Sequence, residues 1–109
     1  MASTTHVQQH EALALSIRCA QILRDRLGAR HVIPFGSVVG HGTWHPGSDL
    51  GLAVEGIPPE QFFQAWAALR ELLPTGLDVD LVDLEHAGET LRARILGEKT
   101  MPEEPLRAL

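Results

Sequence analysis

The chain has 109 residues, 44% of them apolar and 21% charged, which suits one compact domain and is too little for two. Its single cysteine, Cys19, excludes an intrachain disulfide framework and favours a reducing, cytoplasmic setting. A net charge of −5 disfavours strong nucleic-acid binding, and no apolar run approaches the roughly 18 residues of a membrane span.

Met1 to Thr5 are small and polar, with no cationic-then-apolar leader, and are expected to fray. The first helix is predicted from about Val7 to Leu27, because Leu13, Ile17, Ala20, Leu23 and Leu27 recur at spacings of three and four. Cys19 falls within it and is expected in the core; Gly28 is the expected stop. A short strand follows at His31–Phe35, and Pro34 places it at an edge or a strand end, since proline has no N–H for the ladder. Val38 to Gly47, with three glycines and a proline, reads as a loop with at most one helical turn. A second strand, Asp49–Glu55, sets Leu50, Leu52 and Val54 on one face and Asp49, Gly51 and Ala53 on the other. Pro58, Pro59 and Glu60 open a helix with Phe62, Trp66, Leu69 and Leu73 as its buried stripe. A third strand covers Leu77–Asp83. The last helix puts Ala87, Leu91 and Ile95 on one face and is expected to stop at Gly97. Residues 98–109 are expected to be loosely ordered, apart from a short strand near Lys99 to Met101. The reading is one α/β (α+β) domain over 1–109, a small mixed sheet of three to four strands with helices packed mainly on one face.

Three segments of this chain carry chemistry together: Gly36-Ser37 after the first strand, Ser48-Asp49-Leu50-Gly51-Leu52 at the second, and Asp78-Val79-Asp80-Leu81-Val82 at the third. Carboxylates at i and i+2 of a strand share a face, roughly 7 Å apart at Cα, and one on the next strand lies about 5 Å to the side. Three such groups hold two hard cations about 4 Å apart, the arrangement for in-line nucleotidyl transfer. The Gly36 backbone can approach phosphate oxygens, and the Ser37 hydroxyl can donate to them.

These segments, in this order and spacing, resemble the minimal nucleotidyltransferase family of the DNA polymerase beta superfamily, from the first helix to Gly97. The resemblance implies the nucleotidyltransferase fold. It also implies transfer of a nucleoside monophosphate, AMP from ATP, to a hydroxyl with Mg2+ at a two-metal site. Gly36 and Ser37 match the phosphate-contacting pair, Asp49 the first metal ligand, and Asp80 the third carboxylate. Single-domain members of this size resemble the antitoxin half of toxin-antitoxin pairs, whose partner is a helical HEPN-type ribonuclease modified on a tyrosine.

Two positions depart from the pattern. Gly51 stands where the second aspartate belongs, and Val38, itself followed by Val39, stands directly after Gly36-Ser37 where a basic residue is common. Asp78, on the face of Asp80, is a candidate stand-in, and under the enzyme reading Gly51→Asp is expected to raise transferase activity. The alternative is a catalytically degenerate binding module that neutralises a partner by contact, its acidity suiting a basic surface; a nucleotide sensor without turnover is a third reading. Read singly, Asp49 is a turn cap and Asp78 and Asp80 are solvated edge residues. His41 and His45 lie in a glycine-rich loop that argues against a helical metal pair. Trp44 either stacks on a base or covers the core edge. Of the neighbours Phe62 and Phe63, one is left for association, including with a second copy, and Arg92 and Arg94 are expected to be solvated.

Overall fold

In the computed structural model, residues 7–100 are described, with side chains through Gly97. The order is α1 (Gln9–Leu27), β1 (His31–Phe35), β2 (Leu50–Glu55), α2 (Phe62–Leu72), β3 (Val79–Asp83) and α3 (Glu89–Thr100), with short 3-10 turns at Gly36–Val39 and Pro59–Gln61. The sheet runs β1-β2-β3, with β1 antiparallel and β3 parallel to the central β2. Pro34 thus lies on an edge strand, where a missing donor is tolerated.

The alternation of β2 divides the core in two. Leu50, Leu52 and Val54 pack with Val32, Val79 and the buried residues of α1 and α2. On the other face Ile33, Phe35 and Ala53 meet Leu84 and Ile95, with Leu91 packed against them. Two helices therefore cover one face of the sheet and α3 covers part of the other.

The buried stripe of α1 differs from the expected one by a single residue over most of its length. Ala12, Ser16, Cys19 and Leu23 are buried, whereas Leu13 and Ile17 are 41% and 60% exposed. Small side chains let the helix lie close to its neighbours, and that close contact outweighs the greater apolar area of Leu13 and Ile17. Ser16 satisfies its hydroxyl by donating to the Leu13 carbonyl at 2.6 Å. Leu23 accepts from the Ala29 amide at 3.0 Å just beyond Gly28, so α1 stops where expected. Cys19 is fully buried.

α2 buries Ala65 and Leu69 and leaves Trp66 38% and Phe63 73% exposed, so Trp66 does not belong to the core stripe. α3 runs through Gly97 to Thr100, and Lys99 and Thr100 are helical rather than strand; Met101 and the rest of the tail lie outside the described residues, as do Met1 to Thr5. Arg92 is not simply solvated. It donates to the Leu84 carbonyl at 2.8 Å and to Glu55 at 3.2 Å, fastening α3 to the sheet. Among the described residues no helix is long and apolar enough to cross a membrane.

Candidate functional site

The sequence-predicted residues converge at the end of the sheet where β2 and β3 begin and β1 ends. Phe35, the last residue of β1, pairs with Gly51, and Gly51 pairs with Asp80. Leu50 pairs with Val79, and its amide donates to the Asp78 carbonyl at 2.8 Å. Asp49 and Asp78 each sit one residue ahead of their strands, at the same level. Strand alternation places Asp49, Gly51, Asp78 and Asp80 on one face.

An open groove of about 430 Å³ is lined by Asp49, Asp78, Asp80, Val79, Trp66 and Arg70. All three carboxylates are exposed. Arg70 reaches from α2 to Asp78 at 2.9 Å and to the Leu77 carbonyl at 3.1 Å. Asp78, its side chain 72% exposed, is therefore engaged on one oxygen by a cation of the chain itself. Gly36 and Ser37 do not line the groove. They begin the 3-10 turn after β1, where Gly36 has φ +84°, a conformation that favours glycine. The turn is held from α1: the Gln9 side-chain amide donates to the carbonyls of Ser37 and Val38, both at 3.2 Å.

Position 51 decides what this arrangement can hold. A β-carbon built on Gly51 would lie 2.8 Å from the Phe35 carbonyl oxygen and 3.0 Å from two atoms of its ring. The place of the second carboxylate is taken by a buried phenylalanine and its backbone. An aspartate at 51 would have to displace the Phe35 backbone, and this contact opposes the gain that the enzyme reading expects of Gly51→Asp. Among the described residues no group of three or more His, Cys, Asp or Glu side chains is placed to hold a metal ion. Asp49 and Asp80 alone, with Asp78 paired to Arg70, do not fit a two-metal centre.

The loop residues resolve as well. Trp44 donates from Nε1 to the Val7 carbonyl at 2.8 Å and packs on the core, which favours the core-edge reading over base stacking. His41 and His45 lie outside any helix, and the His45 ring accepts from the Gly47 amide at 3.0 Å. Sequence reasoning missed Arg70, Trp66 and Phe35 as site neighbours. The Phe35–Gly51 contact follows from the register of a hairpin whose loop length fixes no register by itself.

Fold and residue placement together define a protein with a nucleotidyltransferase-like fold. The chain is similar to a solved structure described as "putative minimal nucleotidyltransferase", with 29% identity, a TM-score of 0.64, and coverage of 89% of this chain and 96% of that one. No family model and no curated protein matches the sequence. The solved neighbour supports placing the chain with the minimal nucleotidyltransferase type.

Proposed function

We propose that this chain is a nucleotidyltransferase-fold binding module that acts on a helical, HEPN-type partner by contact, as the antitoxin of such a pair, rather than by two-metal AMP transfer. The observation that carries the reading is the Phe35 carbonyl and ring standing where a side chain at position 51 would have to go. The pairing of Asp78 with Arg70 adds to it. The partner is the one that the resemblance of the motifs implies, and the net charge of −5 suits a basic partner surface.

A second reading, AMP transfer from ATP with Mg2+, is favoured by one observation: Asp49 and Asp80 line the same groove. Labelled ATP with magnesium, incubated with the chain and a HEPN-type ribonuclease, separates the two. Under the contact reading the ribonuclease is inhibited stoichiometrically and carries no label. Label that disappears in Asp49→Asn establishes the enzyme instead. Calorimetric binding of Mg-ATP without label transfer points to a nucleotide sensor.

A further inference from the structure

The outer face of α2 carries two aromatic rings beside the acidic groove. Phe63 and Trp66 stack with centroids 5.8 Å apart and planes inclined by 30°. The Arg70 guanidinium lies 5.9 Å from the Trp66 ring centroid while it holds Asp78. The stacking and the guanidinium contact place both rings side by side on the surface of the helix. Trp66 also lines the groove, so apolar and acidic surfaces are continuous. Asp49 and Asp80 have no ion-pair partner among the described residues, and Arg70 offsets one carboxylate of the three.

We infer that this face docks a helical segment of a basic partner protein, with an apolar residue against Phe63 and Trp66 and an arginine or lysine entering the groove toward Asp49 and Asp80. The inference rests on the contact reading above and names its surface. Charge selects this occupant. A triphosphate entering without cations would meet an excess of negative charge. A second copy bound through the same face would bring a second acidic groove with one arginine to offset it. Aromatic anchors and a desolvated arginine are the residue types that dominate such interfaces.

The test uses the full chain and a synthetic amphipathic helix with leucine and arginine along one face, beside a control with citrulline replacing each arginine. Calorimetry is expected to show binding of the arginine peptide and at least about tenfold weaker binding of the citrulline one. Phe63→Ala, at a largely exposed position, and Asp80→Asn should each weaken binding about tenfold, while circular dichroism remains that of the native fold. Added salt should weaken it further. Equal affinity for both peptides, no binding of either, or indifference to Phe63→Ala overturns the inference. So does a stable dimer in sedimentation that Phe63→Asp disperses. Loss of peptide binding with no label transfer defeats this surface and leaves the contact reading standing; label transfer with peptide binding intact does the reverse.

Discussion

Replacing Gly51 by alanine adds one carbon at the most crowded point of the site and gives the sharpest check on this structure. Strand propensity alone predicts a gain, since glycine inside a strand is worse than alanine by roughly 0.5–1 kcal/mol. The geometry predicts the opposite sign. The new carbon would fall 2.8 Å from the Phe35 carbonyl oxygen, a backbone atom that moves only if the β1–β2 pairing moves with it. Overpacking of this kind costs about 1–3 kcal/mol, and for a domain this size about 2 kcal/mol corresponds to a fall of roughly 8–16 °C in Tm. Gly51→Asp should be worse, because it adds a carboxylate at a buried position without a partner. Paired urea and thermal melts followed by circular dichroism measure both. Phe35→Leu removes the ring atoms and leaves the oxygen, so the Phe35→Leu/Gly51→Ala pair should show a coupling of about 0.5 kcal/mol or more. A Gly51→Ala protein that melts at or above the parent temperature would refute the reasoning.

Burial pushes the Cys19 thiol up to about 11, against the opposing pull of Arg18. A disulfide reagent at mildly alkaline pH should therefore label it no faster than the chain unfolds, and at once in denaturant; rapid labelling of native protein contradicts the packing of α1. The Glu55 carboxyl is held below its ordinary value of 4.5 chiefly by its hydrogen bond to His31, and then by Arg92, with burial opposing. A carboxyl depressed in the folded state stabilises the fold fully above its ordinary value, and that contribution is lost as pH falls through the lower folded value. Glu55→Gln should cost about 1 kcal/mol or less at neutral pH and flatten the acid limb of a urea-denaturation series, whereas an unchanged limb would remove Glu55 from the account.

Strands were more legible than helix faces. β1 appears at the expected His31–Phe35, and the alternation of Leu50, Leu52 and Val54 against Gly51 and Ala53 maps onto the two cores. Period two leaves no choice of face once one is buried. On α1 the stripes through Leu13–Ile17 and Ala12–Ser16–Cys19 have almost the same spacing, about 100° apart. Hydrophobicity favours the first; only the proximity of neighbouring elements selects the second. Gly97 fails as a stop because glycine weakens a helix without breaking it. At the site, Asp49 and Asp80 line one groove. The engagement of Asp78 by Arg70 could not be read, because it depends on how α2 turns back onto β3.

The start of α1 and the Gly36-Ser37 turn behave as one mechanical piece. Gln9 and the Val7 carbonyl together account for three hydrogen bonds to Ser37, Val38 and Trp44. An expression tag or truncation that disturbs Val7 to Gln9 would loosen the segment that the motif assigns to phosphate, although some thirty residues of sequence separate them. Preparations differing only in their leading residues would then differ in the order of this turn for reasons unrelated to the carboxylates.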